Sequence, residues 1–247
     1  MFIKQKKQNN LVPKQLPLEF EFQSNQSFNT FYPGNNVEVI NHLQHFFSHD
    51  EQQIFLWGEI GTGKTHLLQA VCQESIQQNK TCFYFSFDGK QLPDIEILTG
   101  LESFDIVCFD NIDKIAENSN WEHAFFNFFN LHRDNNKQLI LSANCPPKYL
   151  TIQLADLKTR MNWGLTLKIN PLSDEQQLEA LIYKANDLGF EIPVNVGKFL
   201  MSHYARDLPS VWVLLDKINH ATLAAKRKLT IPFLKQIMDE QGQNEAR

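Results

Sequence analysis

The run Gly58-Glu59-Ile60-Gly61-Thr62-Gly63-Lys64-Thr65 constrains this chain more tightly than any other segment. It reads Gly-x-x-x-x-Gly-Lys-Thr without a substitution, the pattern of a phosphate-binding loop. Its surroundings suit that reading. Ile54-Phe55-Leu56-Trp57 precedes it as a short continuous apolar run, the form of a strand buried on both faces. Beyond it, Leu67, Leu68, Val71, Cys72 and Ile76 share one face of a helix predicted from about Thr65 to Gln78. The glycines let backbone N–H groups wrap around phosphate oxygens. Lys64 brings a point charge to the terminal phosphates of a nucleotide, the Thr65 hydroxyl is a ligand for Mg²⁺, and the helix N-terminus adds partial positive charge.

The chain around this loop alternates strand and helix. Thr81–Phe87, Ile106–Phe109, Leu139–Leu141 and Leu165–Ile169 read as further strands. Trp121, Ala124, Phe125, Phe128 and Phe129 form the apolar stripe of a helix. This alternation predicts an α/β fold, a doubly wound parallel sheet of five strands. From Ser173 on, the pattern is helical only. Ser173 and Gln176 fit a capping box that opens a helix ending near Gly189. Further helices are predicted over Val194–His203, Leu208–Arg227 and Ile231–Glu240. The expected organisation is a tail over 1–27, a nucleotide-binding α/β domain over 28–170, and a small all-helical lid domain over 171–247. The tail is rich in Lys, Gln and Asn, but Leu16, Leu18 and Phe20 stand at alternate positions in it. In an extended peptide those three side chains share a face, suited either to a partner's groove or to the chain's own sheet edge.

Composition narrows the partners. The formal net charge is -5, so no global basic field draws nucleic acid non-specifically. Lys226-Arg227-Lys228 reads as a solvated helix end, and direct DNA binding is not expected. No apolar run is long enough to span a membrane, and the N-terminus lacks an apolar signal core, so a cytoplasmic location is expected. The four cysteines, Cys72, Cys82, Cys108 and Cys145, form no Cys-x-x-Cys pair and read as free thiols in a reducing compartment.

Two strand ends carry candidate chemistry. Ile106–Phe109 closes in Asp110, an acid at the end of an apolar strand, placed either to reach the Mg²⁺ shell or to cap a following helix. Asn111 follows it. An amide does not act as a base, so intrinsic ATP hydrolysis is expected to be slow. Asn144 ends the fourth strand, where a polar side chain reaches a γ-phosphate; an ordinary turn residue ahead of Pro146-Pro147 is the alternative.

Several segments then match one family in order and spacing. They are Gln15-Leu16-Pro17-Leu18-Glu19-Phe20, Phe31-Tyr32-Pro33-Gly34-Asn35, the glycine loop and Val107-Cys108-Phe109-Asp110-Asn111-Ile112. Beyond them lie Asp156-Leu157-Lys158-Thr159-Arg160-Met161-Asn162-Trp163-Gly164, Pro171-Leu172-Ser173-Asp174-Glu175 and Lys228-Leu229-Thr230-Ile231-Pro232-Phe233. From residue 15 to about 240 the chain resembles the Hda family of AAA+ regulators, relatives of the replication initiator DnaA.

The resemblance implies an AAA+ fold with a helical lid and ADP or ATP, with Mg²⁺, at the junction. It implies a nucleotide-contacting set running from Gly58 through Thr65 and His66, with Phe31 and Pro33 near the base. Thr65 and Asp110 would hold the metal, and Asn144 would act as sensor 1. A sensor 2 arginine falls on Arg206 in one register, whereas another puts Pro209 there. Arg160 matches the finger that reaches into a neighbour's ATP site, and Gln15, Leu16, Leu18 and Phe20 match a sliding-clamp-binding peptide. The implied partners are DnaA and the DNA polymerase III sliding clamp, with a homodimer or higher oligomer also compatible. The implied job is to stimulate ATP hydrolysis by DnaA and so prevent re-initiation. The chain stops at Arg247, soon after the lid, so a DnaA-type DNA-binding module is not expected. A clamp-independent ATPase or helicase-loading factor with the same core and a nucleotide-controlled interaction module without effect on hydrolysis remain the rival readings.

Overall fold

The computed structural model describes residues 26–48, 51–204 and 208–244. Its strands are β1 (Gln53–Trp57), β2 (Cys82–Ser86), β3 (Ile106–Asp110), β4 (Gln138–Ala143) and β5 (Leu165–Lys168). They form one sheet in the order β2-β3-β4-β1-β5, with every pairing parallel. The helices are α1 (Val37–Gln44), α2 (Lys64–Gln77), α3 (Ser119–Asp134), α4 (Ala155–Met161), α5 (Asp174–Asp187), α6 (Val194–His203), α7 (Leu208–Ala225) and α8 (Ile231–Asn244).

Alternation along the strands divides the sheet between two cores. Ile54, Leu56, Ile106, Cys108 and Ile140 pack with Leu67, Leu68, Val71 and Cys72 of α2 and with Val39, Ile40 and Leu43 of α1. Phe55, Val107, Phe109, Leu139 and Leu141 face the other way, onto Trp121, Phe125, Phe128 and Phe129 of α3 and Leu157 and Met161 of α4. Phe109 is the hub of that second core, with the rings of Phe83, Phe87, Phe125 and Phe128 all within about 6 Å of its own. Edge strand β5 alternates half-buried Leu165 and Leu167 with exposed Thr166 and Lys168, the polar spacing of a guarded sheet edge.

The C-terminal helices α5–α8 share a third core built on Leu181, Leu200, Leu215, Ile218 and Leu234. Ser173 opens α5 with the capping box the sequence predicts: its hydroxyl accepts from Gln176 N–H, and its own N–H donates to the Gln176 side chain. Paired amides tie the start of α1 to the segment that follows β5. Asn36 Nδ2 donates to Asn170 O at 3.1 Å, and Asn170 N–H donates to Asn36 Oδ1 at 2.7 Å.

Element bounds differ from the sequence reading in a few places. α1 was not foreseen: its two turns bury Val39, Ile40 and Leu43, too short a stripe to establish a period. β3 runs one residue further, to include Asp110, and β4 covers Gln138–Ala143, which leaves Asn144 just past its end.

Buried Glu122 fixes α4. Its carboxylate accepts from the N–H groups of Gln153 and Leu154, immediately before that helix, and from Glu117 N–H. A carboxylate at a helix N-terminus is favoured by the orphan donors there. At the other end of α4, Gly164 adopts φ +73, and a Cβ there would lie 2.3 Å from Gln53 O. Only glycine tolerates that close turn into β5.

His132, buried on α3 beside Phe128, is pushed down to about 4, first by burial and then by the charge of Lys137. Its folded pKa lies below its unfolded one. Its contribution is therefore complete above about pH 6.5 and is lost as the pH falls toward 4. The shift corresponds to about 3 kcal/mol. Urea unfolding between pH 7 and 4 should show stability falling with pH, and His132→Phe should flatten that slope; an unchanged slope would contradict this assignment.

Candidate functional site

The glycine loop connects β1 to α2, and crowding explains its glycines. A Cβ on Gly58 would lie 2.8 Å from Ile169 O, and one on Gly63, at φ +94, would lie 2.6 Å from the Phe31 ring. Lys64 opens α2 and is buried, folded back under the loop. Its Nζ donates to Gly58 O at 2.8 Å, Glu59 O at 2.9 Å and Asn144 Oδ1 at 3.1 Å. Burial pushes its pKa below the ordinary lysine value, while the charges of Asp110, Asp113 and Asp88 pull it back.

Strand parity delivers Asp110 to α2. It shares its face of β3 with Ile106 and Cys108, the face that α2 covers. Thr65 Oγ1 donates to Asp110 Oδ2 at 2.6 Å, and Tyr84 OH donates to the same oxygen at 3.2 Å. The Ser142 hydroxyl donates to Asp110 Oδ1 and accepts from Asn111 N–H at 3.1 Å. Asp110 is fully buried.

Asn111 turns left-handed at φ 58 and sends its amide to Asp88 Oδ1 at 2.7 Å. Ser86 Oγ donates to the other Asp88 oxygen at 2.9 Å. Asn144 bridges two charges: it accepts from Lys64 and donates from Nδ2 to Asp113 Oδ2 at 3.2 Å.

Lys64, Thr65, Asn111 and Asn144 border a cavity of about 720 Å³ between the sheet and the lid, whereas Asp110 lies behind its lining and meets it through Thr65. Glu59 through His66, Phe31, Asn111 and Asn144 line it. Gly58 lies beneath the loop, and Pro33 is not in the lining; its carbonyl accepts from Asn36 N–H at 2.8 Å. His66 Nε2 lies 2.9 Å from Ser27 O, and its ring packs against Phe31, so it ties the segment before α1 to the loop. Burial lowers its pKa.

The sequence reading gave no site role to Leu172, Tyr183, Lys184 and Trp212, which close the cavity from the lid side, while Tyr32, inside the matched Phe31–Asn35 segment, lines it beside Phe31. Tyr183, Lys184 and Trp212 carry no motif, and the polar tips of Tyr32 and Tyr183 find partners across the junction in Glu179 and Asn29 O. Arg206 and the Gln15–Phe20 motif lie outside the described residues. The thiols of Cys72, Cys82 and Cys108 converge within 4.8 Å of one another between α2 and the sheet, and all four cysteines are free.

Arg160 does not line the cavity. It sits on α4, its guanidinium 4.1 Å from the Trp163 ring centre and 5.7 Å from that of Phe126. Among the described residues it has neither an ion pair with Asp156, the local partner its spacing allows, nor any other side-chain hydrogen bond.

The sheet order, the glycine loop and the strand-end acid define a P-loop α/β fold of the AAA+ class. The description "Bacterial DnaA ATPase domain" matches residues 22–168, and "Hda, lid domain" matches residues 174–238. The chain belongs to the DnaA family of AAA+ proteins and carries an Hda-type lid. Domain III of the Thermotoga maritima replication initiation protein DnaA shares the fold at 20% identity, covering 88% of this chain and 97% of that one, with a TM-score of 0.72. An AMPPCP-bound DnaA from Aquifex aeolicus is 22% identical, covering 73% of this chain and 59% of that one, with a TM-score of 0.60. The Thermotoga maritima RuvB Holliday junction branch migration motor is 15% identical, covering 89% and 73%, with a TM-score of 0.65. Among the described residues, no helix is long and apolar enough to cross a membrane.

Ser142 satisfies both an Asp110 oxygen and the Asn111 N–H from a fully buried position. Ser142→Ala strands both groups and should lower unfolding free energy by about 1–3 kcal/mol. Urea titration measures this, and an unchanged midpoint would contradict it.

Proposed function

We propose that this chain holds an adenine nucleotide with Mg²⁺ in the cavity between sheet and lid, docks on the DNA sliding clamp, and stimulates ATP hydrolysis by DnaA. The cavity supports the first part. A Cβ on Gly58 or Gly63 would collide with Ile169 O or the Phe31 ring, and the Lys64 ammonium stands where phosphate oxygens would replace the Gly58 and Glu59 carbonyls as partners. Thr65 and Asp110, already in mutual contact, would hold Mg²⁺, which supplies charge neutralisation at the β- and γ-phosphates. Asn144 would read the γ-phosphate next to Lys64. The AMPPCP found in a related DnaA fits the same reading.

The chain's own turnover should be weak. A carboxamide stands at 111, directly after the metal-binding acid, and its N–H groups point to Asp88. The amide accepts no proton from an attacking water.

Action on DnaA rests on one observation above all: Arg160 lies away from the chain's own cavity, and among the described residues its N–H donors make no side-chain hydrogen bond or ion pair. A guanidinium offered outward in this way matches two phosphate oxygens at once and stabilises the charge that develops on a neighbour's γ-phosphate. Lys158, a point charge in the same segment, suits that geometry less well. The Gln15–Phe20 motif would bring the chain to the clamp, with Leu16, Leu18 and Phe20 entering a groove and Gln15 bonding at its rim.

DnaA preloaded with labelled ATP, mixed with this chain and clamp loaded on DNA, tests the proposal. Arg160→Ala should return hydrolysis to the basal DnaA rate, a loss on the order of 10³-fold or more for a finger supplied in trans. It should keep ADP binding by titration calorimetry, whereas Lys64→Ala should weaken that binding by about 10- to 100-fold. Gln15→Ala with Leu16→Ala should lose only the clamp-dependent part. Wild-type stimulation by Arg160→Ala would refute the finger.

A further inference from the structure

Trp163 carries two cations. The Arg160 guanidinium lies 4.1 Å and the Arg133 guanidinium 3.9 Å from its ring centre. Phe129 meets the same ring edge-on at 6.2 Å, and Phe126 adds a second aromatic face 5.7 Å from Arg160. Together these side chains make a ledge of aromatic rings under the arginine, built from α3 and from the turn between α4 and β5.

The ledge is held from several sides. Trp163 N–H donates to Arg160 O at 3.0 Å. Gly164, immediately after it, is pressed onto Gln53 in a left-handed turn that no side chain tolerates. At the far end of α4, the buried Glu122 carboxylate grips Gln153 and Leu154. The backbone that carries Arg160 and Trp163 is therefore anchored at both ends.

How the arginine is held matters chemically. A carboxylate partner would occupy the in-plane N–H groups of the guanidinium, the same edges that grip phosphate bidentately. An aromatic face attracts the cation through its π cloud and leaves those edges open. Arg160 has this second kind of partner and, among the described residues, no carboxylate. Arg133, on the same ring, restricts the indole from the α3 side and adds positive charge to the patch that would face a neighbour's nucleotide.

We propose that Trp163 is a positioning residue for Arg160, with Arg133 holding the indole in place, so that the finger reaches a neighbour's phosphates already aimed and with its donors free. This inference rests on the finger reading above. Ordering a long side chain in advance removes part of the cost of docking it, an effect of about fivefold in rate.

The test is single-turnover hydrolysis of labelled ATP on DnaA, titrated with full-length variants of this chain in the presence of DNA-loaded clamp. Trp163→Ala should lower the maximal stimulated rate about fivefold or more and leave the half-saturating concentration and the chain's own ADP affinity unchanged. Trp163→Phe, which keeps a smaller aromatic face, should recover much of the rate. Arg133→Ala, a change at an exposed position that spares the fold, should lower the same rate in the same direction; it keeps the test decisive if Trp163→Ala folds poorly. Full stimulation by Trp163→Phe and Arg133→Ala together with Trp163→Ala would overturn the inference, as would a loss confined to half-saturation or a gain in rate, which would mean the ledge stows the arginine. Arg160→Ala runs alongside. If it too retains full stimulation, the finger reading itself fails; if it alone loses stimulation, only the positioning role is wrong.

Discussion

The Asp110 carboxylate has no exposure to solvent, and the upper end of the sheet is organised around it. Hydroxyls from Thr65, Tyr84 and Ser142 converge on its two oxygens, one each from α2, β2 and β4. A buried charge without such donors would be expensive. With them, it joins three neighbouring elements at the point where the glycine loop begins its helix. Lys64, Asn144 and Asp113 form a second chain of contacts beside it. One acid thus ties the start of α2 to two strands, and the neighbouring chain of contacts places the loop lysine against the end of β4.

Strand parity is the reason these groups meet. Side chains on β3 alternate between the α2 face and the α3 face, so an acid one residue earlier would point into the phenylalanine core around Phe109. The same alternation brings Cys82 and Cys108 to the α2 face, where Cys72 joins them. On the opposite face, aromatic packing among Phe109, Phe125 and Phe128 sets α3 against the sheet, and α3 in turn supplies Glu122, Phe126, Phe129 and Arg133 to the α4 ledge. The two faces thus divide the labour: one builds the cavity, and the other supports an arginine that lies outside it.

Much of the fold was legible in the sequence because its signals are local. Buried parallel strands read as continuous apolar runs, the α3 stripe repeats with a helical period, and the Ser173 cap is spelled out by two residues. The glycine loop and Asp110 could be read from pattern and context together. What was not legible depends on distant partners. Nothing adjacent to Asn111 announces that its amide will meet Asp88, 23 positions away. Glu122 reads as an ordinary helix glutamate until the Gln153–Leu154 loop folds onto it. The stacking of Arg133 and Arg160 on one indole joins residues from two helices and a turn, and the lid residues that close the cavity carry no spacing of their own. α1 was missed because two turns are too few to show a period.

Family membership and fold thus rest on the matched sequence descriptions and the sheet, and the proposed action on DnaA rests on an arginine directed away from its own cavity. The most direct measurement is the single-turnover rate of ATP hydrolysis on DnaA with the wild-type chain, with and without clamp loaded on DNA. The account predicts that the chain accelerates conversion of ATP to ADP on DnaA and that loaded clamp increases the acceleration. A rate on DnaA that stays at its basal value with both the chain and the loaded clamp present would contradict it.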